Sequence, residues 1–122
     1  MEQIYNVAQI TDIPEGTRRI IQVGDRLIGV FNVCGQYYAL PNFCIHQGGP
    51  LCEGRVSGMV TANASTQWEF QWVCEGEIVT CPWHGLEFNI TTGQCISLPK
   101  RHLRTYPVVV DNGQIKVVLG GL

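Results

Sequence analysis

The chain is predicted to be all-β, folded as a small antiparallel barrel or sandwich. Three observations support this. Segments rich in β-branched and aromatic residues recur at 19–23, 27–33, 37–40, 106–110 and 114–119, a pattern of many short strands. The breaks between them hold turn-forming pairs: Gly24-Asp25, Cys34-Gly35 and Asn112-Gly113. No window of ten residues or more carries a helical period.

Taken in order, Asp12-Ile13-Pro14-Glu15-Gly16 suits either one capped helical turn or a β-turn. The runs 19–23, 27–33 and 37–40 then read as successive hairpins joined at Gly24-Asp25 and Cys34-Gly35. Further on, 67–73 and 77–80 flank Glu75-Gly76, which reads as another hairpin turn. Thr66, Trp68, Phe70 and Trp72 alternate, so an extended hairpin over 56–78 is expected, with one apolar face that either packs on the barrel or forms part of a partner-docking surface. The closing pair of strands brackets Asp111-Asn112-Gly113, where the Asn-Gly step favours a tight primed turn.

Glycines and prolines fall as punctuation rather than as a linker, so residues 1–122 are expected to form one domain. With 45% hydrophobic residues, 15% charged residues and a net charge of −2, the composition offers nothing to nucleic acid or an anionic membrane. No apolar run reaches the roughly 20 residues of a membrane helix. The first residues carry Glu2 and Asp12 instead of the basic-then-apolar order of a signal peptide. A cytoplasmic protein is the expectation.

Six cysteines could suggest a disulfide framework, but without an export signal free thiols are the better expectation. Cys34 and Cys95 read as small buried hydrophobes. Cys52 and Cys74 are left as either free or paired. Cys44 and Cys81 differ, because each is followed by a histidine, in Cys44-Ile45-His46 and Cys81-Pro82-Trp83-His84. Two thiolates and two imidazoles can hold one structural zinc or divide between the two irons of a Rieske cluster. Zinc ribbons pair cysteines two to four residues apart. Here each loop is mixed and the two intervals differ, which favours two irons. Neither motif holds a carboxylate to act as a base, so catalytic zinc is disfavoured as well. Gly48, Gly49 and Gly85 lie beside the ligands, where they let the backbone turn sharply and bring amides towards bridging sulfides. His102, in the basic run Lys100-Arg101-His102-Leu103-Arg104, has no cysteine beside it and reads as an exposed loop histidine.

These loops resemble the Rieske family, in particular its soluble ferredoxins. The resemblance extends to Asp12-Ile13-Pro14-Glu15-Gly16, to Thr92-Gly93 and to the closing hairpin after Tyr106-Pro107-Val108. It implies a barrel bearing a cluster-binding part, at about 41–99, formed by two loops. It also implies one 2Fe–2S cluster, with Cys44 and Cys81 on one iron and His46 and His84 on the other. Gly48, Gly49, Trp83, Gly85 and Pro99 would surround it, Pro99 through the shielding loop Leu98-Pro99. The implied role is a one-electron carrier, not itself an enzyme, between a flavin-dependent reductase and the terminal oxygenase of a Rieske non-haem iron system. The alternatives are a small Rieske subunit of a nitrite reductase-like enzyme and a zinc-stabilised interaction module.

Two departures from the family pattern are informative. Thirty-four residues separate His46 from Cys81, more than in many relatives, which leaves the docking face open. Rieske proteins of respiratory and photosynthetic chains join their loops by a disulfide and supply a serine and a tyrosine after the second loop. This chain has Trp83, Leu86 and Phe88 at those positions. Each missing hydrogen bond leaves electron density on sulfur and disfavours reduction. The midpoint potential is therefore expected near the low end of the Rieske range, at about −150 mV and not about +300 mV. A potentiometric titration checks this, and a midpoint above zero contradicts it.

Overall fold

The computed structural model describes residues 2–43, 49–61, 67–69, 71–83, 85–98 and 100–120; for Glu2, 59–61 and 71–75 it describes the backbone alone. Among the described residues, nine strands form three antiparallel sheets of three strands each. The first sheet joins β1 (Glu2–Gln9) to β9 (Gln114–Gly120) and β9 to β8 (Val108–Asp111). The second is the meander β2 (Arg18–Val23), β3 (Arg26–Val33) and β4 (Gln36–Pro41). The third joins β5 (Arg55–Thr61), β6 (Gln71–Thr80) and β7 (Glu87–Asn89). No helix among the described residues is long and apolar enough to cross a membrane.

The middle sheet is buried on both faces, which is why β3 is apolar almost throughout. Ile28 and Val30 join Ile115, Val117 and Leu119 in one core. Phe31 and, from β4, Leu40 join Val79, Phe88 and Ile90 in the other. Full burial of each such side chain is worth roughly 1.5–3 kcal/mol. In β9 the burial alternates strictly, with Ile115, Val117 and Leu119 inward, and this locks its register.

Turn chemistry accounts for the hairpins. Asn112 and Gly113 have φ of 51° and 75°, and Cys34 and Gly35 have φ of 52° and 89°; a type I′ turn needs this left-handed pair. Asn32, a buried polar side chain, braces the Cys34-Gly35 turn. Its Oδ1 accepts from the Gly35 amide at 2.9 Å and its Nδ2 donates to Ile13 O at 3.0 Å. Near the N-terminus the segment 12–16 takes the β-turn form, and the helical turn lies just before it. A 3₁₀ turn covers Ile10–Asp12, and a turn follows in which Thr17 N donates to Pro14 O at 3.0 Å.

Three expectations are corrected. Glu75-Gly76 is not a hairpin turn but an irregularity inside the continuous β6. Ser57 pairs with Ile78 and Met59 with Val73, so β6 accommodates extra residues there while staying paired with β5. Gln67 and Trp68 are not strand residues: both have positive φ, 56° and 62°, which breaks the alternation. Trp68 is 72% exposed instead of packed on the barrel. Thr66 and Phe70 lie outside the described residues, as does the side chain of Trp72. Cys34 is exposed, because a two-residue turn tip points its side chains at solvent. Strand β1, which lacks a clean alternation, was not expected.

One backbone contact closes the third sheet where the first loop enters it. A Cβ built on Gly54 would lie 1.7 Å from Thr80 O, the carbonyl just before Cys81. The Arg18 guanidinium donates to Gly54 O from the other side. The clash leaves no room for relaxation, so Gly54→Ala is expected to destabilise the fold by about 2 kcal/mol or more. Urea denaturation measures this; a change below about 0.5 kcal/mol contradicts the contact.

Candidate metal centre

The second loop is the better described half of the centre. Cys81 directly follows β6 and is 2% exposed, with a free thiol. Its amide donates to Leu86 O at 2.8 Å, and its carbonyl accepts from the Gly85 amide at 2.9 Å. These bonds close a tight loop on the paired ends of β6 and β7, where Thr80 sits opposite Glu87. Gly85 has φ of +75°, in the left-handed region, so the turn back depends on glycine. Phe88 packs fully buried beside Cys81, and Leu86 lies partly buried against the same core. Both positions expected to lack a hydroxyl are therefore filled by hydrocarbon.

The first loop leaves β4 at Pro41 and returns through Gly49-Pro50 into the 3₁₀ turn Leu51–Glu53. Asn42 ties its two ends together. The Asn42 amide donates to Leu27 O at 2.9 Å, its Oδ1 accepts from the Cys52 amide at 2.8 Å, and its Nδ2 donates to Glu53 Oε2 at 3.1 Å. Sequence reasoning passed over Asn42. Its only local signal is the readiness of asparagine side chains to replace backbone partners in turns. Leu51, fully buried, anchors the returning chain.

The two loops meet at Gly49. A Cβ there would lie 2.9 Å from Cγ and Cδ2 of Trp83 and 3.2 Å from Cys81 Sγ. A third segment runs beside them along β7. Ile96 N donates to Glu87 O at 2.7 Å, Ser97 Oγ accepts from Glu87 N at 3.2 Å, and Arg101 N donates to Leu98 O at 2.8 Å. Three apolar side chains on these segments stay open to solvent: Phe43 at 57%, Trp83 at 58% and Leu98 at 41%. Of the residues singled out from sequence, Cys81, Gly49, Trp83 and Gly85 are thus placed. Cys44, His46, Gly48, His84 and Pro99 lie outside the described residues. His102 is exposed, bridging Gln94 across a loop, as its context implied.

Cys52 is fully buried and free, with its Sγ donating to Pro41 O at 3.4 Å. The side chain of Cys74 lies outside the described atoms. Burial pushes the Cys52 thiol up from 9.0 to about 12; Glu53 adds to the rise, while a Gly29 backbone hydrogen bond and the Arg18 charge oppose it. Cys52 is therefore a neutral packing group, unlike a reactive thiolate.

Residues 3–107 match the Rieske [2Fe-2S] domain family. The 3-phenylpropionate/cinnamic acid dioxygenase ferredoxin subunit of Escherichia coli K12 is 32% identical over 120 residues, which cover 98% of this chain and 95% of that one. The ferredoxin of carbazole 1,9a-dioxygenase from Nocardioides aromaticivorans IC177 aligns in structure with a TM-score of 0.68 at 25% identity, covering 94% of this chain and 96% of that one. A chain from the complex of reduced oxygenase and oxidized ferredoxin in carbazole 1,9a-dioxygenase gives 0.70 at 28% identity, covering 93% and 91%. The chain belongs to the Rieske [2Fe-2S] domain family. Its cofactor is a Rieske-type 2Fe–2S cluster. The described residues fit that group: a free, buried thiol directly follows a strand where two glycine-bearing loops converge, in apolar surroundings.

Two outcomes follow for the thiols. A thiol reagent at neutral pH is expected to label Cys34 rapidly and to spare Cys52 and Cys95 until the protein unfolds; fast labelling of Cys52 in the folded protein contradicts its burial. The folded protein holds the Cys52 proton more tightly than the unfolded chain does. That contribution to stability is whole below pH 9.0 and is lost as pH climbs towards about 12. Cys52→Ala should therefore show a shallower loss of stability across this window, by at most about 1.4 kcal/mol per pH unit.

Proposed function

We propose that this protein is the cytoplasmic ferredoxin of a multicomponent aromatic-ring dioxygenase system, carrying single electrons from a flavin-dependent reductase to a terminal oxygenase. The observation that carries this reading is the near end-to-end correspondence with a dioxygenase ferredoxin subunit, 98% of this chain against 95% of that one. In this reading residues 41–99 hold the cluster, with the Cys44 and Cys81 thiolates on one iron and the His46 and His84 imidazoles on the other. Mixed ligation of this kind supports reversible one-electron transfer at potentials above those of all-thiolate clusters.

The chain's own residues do the rest. Cys81 is held by the Leu86 and Gly85 bonds, which fix the backbone that carries its sulfur. Phe88 and Leu86 keep water and hydroxyl donors from that side. Phe43, Trp83 and Leu98 present an apolar surface beside the loops, where a partner can approach and displace water. Electron transfer falls off steeply with distance, so a short approach over hydrocarbon suits a carrier.

Two measurements test the proposal. The chemically reduced protein, mixed with the oxidised oxygenase component of an aromatic-ring dioxygenase, is expected to regain its oxidised visible spectrum as the oxygenase is reduced. A protein that stays reduced contradicts the role. His46→Cys and His84→Cys are each expected to move the midpoint towards about −400 mV, the value of all-thiolate plant-type clusters. A midpoint unchanged in both contradicts the ligand set.

A further inference from the structure

Nothing in the hydrogen bonds of the described residues ties the first loop to the second, and Cys52 and Cys81 are free thiols. The Gly54–Thr80 contact joins only the base of the two loops. Towards the tip the contact is made by Gly49 and Trp83. The missing side chain of Gly49 leaves a space that the indole occupies: a Cβ there would be 2.9 Å from two indole ring atoms, closer than packed carbons come. The same Cβ would reach within 3.2 Å of Cys81 Sγ, so the indole and the ligand sulfur share one glycine surface. Trp83 is 58% exposed. One side of the ring therefore rests on the first loop and the rest faces solvent.

We propose that Gly49 and Trp83 form a non-covalent clasp that holds the two ligand loops together and shields the Cys81 sulfur from water. This rests on the cluster reading above. Gly49 acts as a positioning residue: it works by admitting the indole beside the Cys81 sulfur. A methyl group at position 49 forces the indole, the mobile partner, off the first loop. Water then reaches the sulfur, and water donating hydrogen bonds to sulfur raises a cluster's potential.

The test is a double-mutant cycle on the cluster-loaded protein: wild type, Gly49→Ala, Trp83→Ala and the pair. Cluster loss to a strong iron chelator is followed by bleaching, beside the midpoint potential. Each single variant is expected to lose its cluster roughly tenfold faster than wild type and to titrate at a higher potential. With Trp83 already absent, Gly49→Ala should add less than about twofold, the residue of crowding at Cys81 Sγ. Equal acceleration by Gly49→Ala in both backgrounds, or an unchanged potential in both single variants, overturns the clasp. If Gly49→Ala alone takes up no cluster, the pair must regain uptake; failure of both overturns it too. Acrylamide quenching of Trp83 emission, isolated by subtracting the Trp83→Phe spectrum, should rise in Gly49→Ala whatever metal the loops hold. A wild type without iron would thus overturn the cluster reading, while the quenching result still decides the clasp.

Discussion

The structure depends on a backbone-to-backbone approach. Gly54, at the exit of the first loop, sits so close to Thr80 that no side chain could stand between them. Thr80 is the last residue of β6, and Cys81 follows it directly. Through this contact the start of β5 and the end of β6 are drawn together, and the second loop is brought up to the first. Arg18, from β2, secures the Gly54 carbonyl from behind. Asn42 closes the first loop on its own two ends. Each device acts on backbone, which is what a site built from two loops needs. Loops have few apolar side chains to bury, so their positions must come from glycine contacts and hydrogen-bond closure.

That arrangement also explains how the chain accommodates its long excursion between the loops. Loop-closure entropy grows only as the logarithm of length, about 0.6 kcal/mol for each doubling, so added residues between the ligand loops cost little if the ends are held. Here β5 and β6 take up the length as paired strands and return the chain to Thr80. The irregularity opposite Ser57–Met59 absorbs the excess in β6 without disturbing the end that carries Cys81. Such bulges let a strand change course and keep its pairing.

Much of the fold was legible in the sequence wherever local chemistry decides. Asn112-Gly113 and Cys34-Gly35 mark their turns because few other pairs accept two left-handed residues. The alternation in β9 reads directly as its buried face. The failures have two causes, a partner distant in sequence and a local backbone turn. Glu75-Gly76 has hairpin composition, yet β5 across the sheet keeps it inside a strand. Trp68 belongs to an alternating run, yet the backbone turns at Gln67 and Trp68 and sends the ring to solvent. Cys34 has the composition of a core residue but the position of a turn tip. At the site, the two Cys/His motifs and their unequal spacing were readable in the sequence. The roles of Asn42, Gly49 and Gly54 were not, since each depends on what faces it across the fold.

The central claim is that two unlike pairs of ligands, one cysteine and one histidine from each loop, divide between two irons. Mössbauer spectroscopy of the oxidised protein loaded with iron-57 tests it most directly. The account predicts two resolved doublets of equal intensity, one for iron held by thiolates and one for iron held by imidazoles. A single doublet from equivalent irons, or a colourless protein holding one zinc, would contradict it.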